Sequence, residues 1–140
     1  MWAAIAELSR WGPLRASSLW RSEPLGDPTQ AWYVNAVVEL ALGGDPWVCL
    51  ERLHALERAF GRPAERARWA PRRLDLALLL FDDLELRSDR LELPHPGLAT
   101  RRFVLAPLSE LVPDFVPPGQ TRTVARLLSD LDDPLRVEKL

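Results

Sequence analysis

Apolar residues recur along this chain with two different periods, and the switches between them mark its elements. Trp2, Ile5 and Leu8 stand at helical spacing within residues 1–10, and Gly12-Pro13 stops the run. Residues 14–21 read as a strand containing Ser17, Ser18 and Trp20, followed by a loop over 22–28 rich in Pro and Gly. Residues 32–42 are apolar and rich in β-favouring side chains, which predicts a second strand ending at Gly43-Gly44. Asp45-Pro46 then opens the clearest helix, with Asp as N-cap and Pro at the first helical position. Cys49, Leu53, Leu56 and Phe60 give it one apolar face, and Gly61 closes it.

The second half changes period again. Residues 62–72 form a basic loop carrying Arg62, Arg66, Arg68 and Arg72. Residues 73–81 read as a strand: Leu74, Leu76, Leu78 and Leu80 share one face, with Asp75, Ala77 and Leu79 on the other. Residues 84–86 and 91–93 are placed to pair as a short hairpin. A helical stretch near 99–111, interrupted by Pro107, and a last helix at about 123–131 complete the chain. The order α-β-β-α-β with additions predicts an α+β fold with a mostly antiparallel sheet.

The 140 residues suit a single domain over 1–140, large enough for one core. A net charge of −2 offers no global field for nucleic acid, so any anion site must be a local patch. The lone Cys49 excludes an intramolecular disulfide and a cysteine-rich zinc site, and its place in the helix pattern predicts a buried structural thiol. No apolar run approaches the roughly 20 residues that span a bilayer, and the N-terminus lacks the basic region of a signal peptide. A cytoplasmic location is the default expectation.

Candidate chemistry concentrates in residues 68–77. Four arginines within the preceding loop suit phosphate oxygens, because guanidinium offers paired donors and a fixed charge. Such a loop is more often merely solvated, but Trp69 and Pro71 among the arginines suggest that it folds over something flat. Asp75 follows at once, as an exposed strand position or as a ligand for Mg²⁺ bridging substrate phosphates. Ala77 points the same way and cannot ligate. Asp83 lies roughly 26 Å further along an extended chain, too far to share an ion. Tyr33 and Asn35 share one strand face, where an amide can read the edge of a heterocycle. His95 is held between two prolines, and with His54 on a helix and no cysteine partner a histidine-based metal site is not expected.

Three stretches together resemble the 6-hydroxymethyl-7,8-dihydropterin pyrophosphokinase family. They are Trp32-Tyr33-Val34-Asn35-Ala36-Val37, Arg68-Trp69-Ala70-Pro71-Arg72-Arg73-Leu74-Asp75-Leu76, and Leu93-Pro94-His95 leading to Arg101-Arg102-Phe103-Val104-Leu105-Ala106-Pro107-Leu108. The second run is highly specific, and the spacing is kept from about residue 14 to 115. The resemblance implies a ferredoxin-like antiparallel sheet with helices on one face. It also implies transfer of a diphosphate from ATP to the pterin alcohol in folate biosynthesis, with release of AMP and with Mg²⁺ as cofactor. Pterin contacts fall on Ser22, Leu25, Tyr33, Asn35, Trp69 and Phe103. ATP contacts fall on Glu57, His95 and Arg101. Arg62 and Arg72 fall beside the reacting phosphates, and Asp75 matches the first aspartate of the family's Asp-x-Asp metal pair. A monomer that binds these two small molecules, and neither nucleic acid nor membrane, is expected.

The chain departs from the family pattern in several places. Ala77 stands where the second metal aspartate belongs, and His54 and Ala64 replace polar or basic positions at the nucleotide. The family's first strand, which ends in a Gly-Ser-Asn-Leu turn, is missing, since the sequence begins in the helix that should follow it. A late start site, a truncated domain or a strand from another chain would each produce this. Two alternatives to the enzyme follow: a degenerate relative that keeps the pocket with little catalysis, and a ferredoxin-like RNA-binding module. The second lacks the basic aromatic strand that such modules use.

Overall fold

The strands expected at 14–21 and 32–42 each break in two, and a buried serine is the reason. A computed structural model describes residues 1–24, 26, 29–61 and 74–140. Within it β1 (Leu14–Ala16) pairs antiparallel with β4 (Val38–Leu40), and β2 (Trp20–Ser22) with β3 (Tyr33–Asn35). Between the two ladders Ser17 donates its N–H to the Val37 carbonyl at 2.8 Å and accepts the Val37 N–H on Oγ at 2.9 Å. A side-chain oxygen thus takes the place of a ladder carbonyl, and the ribbon kinks without leaving a buried donor unpaired.

Glu110 holds this kink from outside. Its carboxylate accepts from the Trp20 indole N–H at 2.7 Å, the Ser18 N–H at 3.1 Å and the Ser18 hydroxyl at 2.8 Å, with Lys139 Nζ 3.4 Å away. Desolvation opposes ionisation of this carboxyl, but the Trp20 and Ser18 hydrogen bonds and the Lys139 charge outweigh it. The group titrates below its ordinary value of 4.5. A carboxyl depressed by folding stabilises the native state above its unfolded pKa and loses that contribution as pH falls through the folded value. Urea unfolding at stepped pH is therefore expected to show wild type more stable than Glu110→Gln at neutral pH, with the gap closing below about 4.5. A gap that stays constant down to pH 3 would show that the ionised form of Glu110 is not what holds the kink.

Helix α1 (Trp2–Leu8) and helix α2 (Pro46–Ala59) share one core cluster. Ala4, Leu8, Cys49, Leu53, Leu56 and Leu74 are buried there, with Trp11, Leu14 and Val38 packed against them. The cap read from Asp45-Pro46 is present: Asp45 Oδ1 accepts the Val48 N–H at 3.0 Å. The Cys49 thiol is buried, which pushes its pKa up and fits the inert role expected of it.

Residues 74–81 are the largest departure from the sequence reading. Their alternation is as expected, because Leu74, Leu76 and Leu78 enter the α1–α2 cluster while Asp75 and Ala77 are exposed. Yet no strand forms over 74–81. Alternation shows which face is buried, but a strand also needs a neighbour for its backbone, and no other described segment forms a ladder with this one. Other bonds hold the segment instead: the Leu76 N–H donates to Glu57 Oε2 at 2.8 Å, and the Leu79 carbonyl accepts the His95 N–H at 2.8 Å.

The expected hairpin at 84–93 is shorter than read, as β5 (Leu86–Arg87) and β6 (Glu92–Leu93). Helix α3 spans Arg102–Leu111 and runs through Pro107, where a break was expected. Proline removes the bond to the Phe103 carbonyl, but Pro107 is fully buried beside Leu105 and Leu108, and that packing offsets the loss. Helix α4 (Val124–Asp130) packs on α3, and the two bury Leu98, Leu105, Leu108, Val124 and Leu127 with Val37. A final strand absent from the sequence reading, β7 (Val137–Lys139), adds to β2 and gives the order β3-β2-β7. The α+β class with antiparallel pairing is as expected and consistent with a ferredoxin-like arrangement. Among the described residues no helix is long and apolar enough to cross a membrane.

Candidate functional site

Strand parity puts Ser22, Asn35, Tyr33 and Trp20 on one face of the β2–β3 ribbon, because Ser22 lies opposite Tyr33 and Trp20 opposite Asn35. Ser22 is buried, and its hydroxyl accepts from Asn35 Nδ2 at 2.8 Å. This bond fixes the orientation of the Asn35 amide and leaves its second N–H and its Oδ1 available, a donor–acceptor pair of the kind a heterocycle edge requires. Tyr33 is exposed, its hydroxyl accepting from Gln30 Nε2 at 3.2 Å.

A second group of candidate residues comes from the loop before α3. The Leu93–Pro94 peptide is cis. Gly97 donates its N–H to His95 Nδ1 at 3.0 Å, which assigns Nδ1 as the acceptor and directs the imidazole proton to Nε2. Burial, reinforced by the Arg101 charge and only partly opposed by Glu92, lowers the His95 pKa, so the ring is neutral at pH 7. Gly97 leaves room for the Arg101 side chain, which lies 2.8 Å from where a Cβ would stand and is exposed enough to swing aside. That guanidinium also sits over the Phe103 ring, 5.8 Å from its centroid. His95, Arg101 and Phe103 are therefore brought together as a neutral donor, a fixed cation and an aromatic ring. Of the three, His95 also lines a cleft of about 400 Å³, together with Arg87, Glu92, Pro94, Pro117 and Gln120.

Asp75 lies on the exposed side of the 74–81 segment, with Ala77 exposed on the same side. Glu57, expected at ATP, is 4% exposed, and one of its carboxylate oxygens holds the Leu76 backbone next to Asp75. Among the described residues no three His, Cys, Asp or Glu side chains group as a metal cage. An exposed single carboxylate still fits Mg²⁺, which takes one or two carboxylates and completes its shell with waters and substrate phosphates.

Leu25, Arg62, Trp69 and Arg72 lie outside the described residues. Three structural participants were missed by the sequence reading: Glu110, Arg102 and Asp133. The doublet Arg101-Arg102 was visible, but nothing local distinguishes a cation aimed outward from one folded back on the chain.

Comparison with known proteins gives a consistent result. The family model for 7,8-dihydro-6-hydroxymethylpterin-pyrophosphokinase matches residues 1–113. The chain is 40% identical over 132 residues to the 2-amino-4-hydroxy-6-hydroxymethyldihydropteridine pyrophosphokinase of Synechocystis, covering 92% of this chain and 67% of that one. The proteins of the same name from Methylorubrum extorquens and Haemophilus influenzae are 39% and 35% identical. Those matches cover 89% and 93% of this chain, and 76% and 80% of theirs.

Proposed function

The chain belongs to the 7,8-dihydro-6-hydroxymethylpterin-pyrophosphokinase family, and we propose that it transfers the terminal diphosphate of ATP to 6-hydroxymethyl-7,8-dihydropterin. The hydroxymethyl oxygen attacks the β-phosphorus and loses its proton as the new O–P bond forms. The bond from the β-phosphorus to the oxygen that bridges it to the α-phosphorus breaks, and AMP leaves with that oxygen. The Ser22–Asn35 hydrogen bond is the observation that carries the pterin side of this reading, because it presents an oriented amide to a heterocycle edge. Tyr33, Phe103, Leu25 and Trp69 are assigned to the same pocket.

On the nucleotide side, His95 donates from Nε2 and Arg101 supplies fixed charge, with Arg62 and Arg72 assigned to the reacting phosphates and Glu57 to holding the segment beneath them. Asp75 would hold Mg²⁺, which neutralises phosphate charge when bound. Catalysis rests on alignment and charge neutralisation. Both substrates are small molecules, and no nucleic acid is needed.

AMP formation from ATP and the dihydropterin, dependent on both and on Mg²⁺, tests the proposal. AMP at background with pterin binding retained would instead support a binding protein, the reading that Ala77 favours. Ala77 shares its exposed side with Asp75, so Ala77→Asp is expected to raise turnover and sharpen the Mg²⁺ dependence by about tenfold. Unchanged kinetics would remove position 77 from the metal site.

A further inference from the structure

The proposed pterin pocket draws on two separate elements, the β2–β3 ribbon with Ser22, Tyr33 and Asn35 and the first turn of α3 with Phe103. A flat ring held between them requires their separation to be fixed. Residues 131–140 run from one to the other, beyond the stretch matched by the family model. At the α3 end, Arg102 grips this segment through its guanidinium, which donates to the carbonyls of Leu131 (3.1 Å), Asp133 and Leu135 (3.4 Å). The Arg102 N–H donates to Asp133 Oδ2 at 3.1 Å, while Asp133 Oδ1 accepts the Leu135 N–H at 3.0 Å. At the ribbon end, β7 is in register with β2, with Ser22 opposite Val137 and Trp20 opposite Lys139. Arg136 stacks on Trp32 at 4.9 Å, with Arg21 at the same distance from that ring, and its N–H donates to Glu23 at 2.7 Å.

We propose that residues 131–140 act as a strap that sets the spacing between Phe103 and the Ser22–Asn35 pair, with Arg102 as its positioning residue. The inference rests on the pterin assignment of those residues. Arg102 lies between Arg101 and Phe103 but spends its donors on backbone carbonyls, so it acts through its neighbours without contacting substrate. Its planar fork serves three carbonyls at once, a geometry lysine cannot reproduce.

The test compares wild type, Arg102→Ala, Arg102→Lys and Glu138→Pro, reading intrinsic fluorescence of 6-hydroxymethyl-7,8-dihydropterin and binding of Mg²⁺–α,β-methylene-ATP. Position 138 lies opposite Arg21, and a proline there withdraws a donor from the β2–β7 pairing without touching α3. All three variants are expected to weaken pterin binding about tenfold while nucleotide binding changes by less than about threefold. Hydrogen exchange at Leu140, whose N–H donates to the Leu19 carbonyl, should rise in each. A freed Leu140 amide with unchanged pterin affinity would overturn the strap, and so would equal weakening of both ligands alongside a lowered Tm. Wild type failing to bind the pterin would overturn the functional reading instead, a result visible before any variant is compared.

Discussion

Asp75→Asn is expected to lower AMP formation by about a hundredfold to a thousandfold, the range seen when one preorganised electrostatic contact to a transition state is removed. Asparagine keeps the shape and one acceptor oxygen but gives up the charge that binds Mg²⁺. The effect should be large here because Ala77 offers no second carboxylate, so Asp75 is the acidic side chain on that side of the segment. A matching Asp75→Glu, with the carboxylate moved by one methylene, should recover part of the activity. The measurement is kcat for AMP release across a Mg²⁺ titration, with pterin affinity taken separately. Activity within about threefold of wild type, and the same Mg²⁺ dependence, would show that the metal is held by substrate phosphates and other groups.

Leu105→Ala carries the largest expected cost in stability. Leu105 is fully buried at the centre of the α3–α4 cluster, against Leu98, Leu108, Val124, Leu127 and Val37. Truncation removes apolar burial and leaves a cavity that helix-on-helix packing cannot readily close, a loss of about 2–5 kcal/mol. For a chain of this size that corresponds to a fall in Tm of roughly 10 °C. Because α3 begins with Arg102 and Phe103, partial unfolding should also weaken pterin binding near the new midpoint. A loss below about 1 kcal/mol in urea unfolding would mean that this cluster is not the core of the second half of the chain.

Some features were readable because their causes are local. Asp45-Pro46 announces a helix start through a cap and a fixed φ, and the cap is there. Leu74, Leu76 and Leu78 alternate with Asp75 and Ala77, and burial follows that alternation. Tyr33 and Asn35 share a face because side chains in a strand repeat every two residues, and Asn35 meets Ser22 across the ladder. Pro107 misled for the same reason that local rules work: its lost hydrogen bond is visible in sequence, whereas the burial that offsets it is not.

Sequence alone was enough for the α+β class, the helix opened by Asp45-Pro46, a helical stretch near 99–111, the family, and which residues face solvent at 74–78. Each of these depends on neighbours a few positions apart or on a motif read whole. Long-range packing alone made the ribbon kink at Ser17, set Glu57 to hold Leu76, and let Glu110 and Arg102 tie α3 to segments on either side of it. The same packing left 74–81 without a ladder, while β7 joins β2 from a distant part of the sequence. Those contacts join residues distant in sequence, from Glu57 with Leu76 at the nearest to Trp20 with Lys139 at the farthest. Their formation depends on which groups the folded chain leaves in need of a partner, and no local period encodes that.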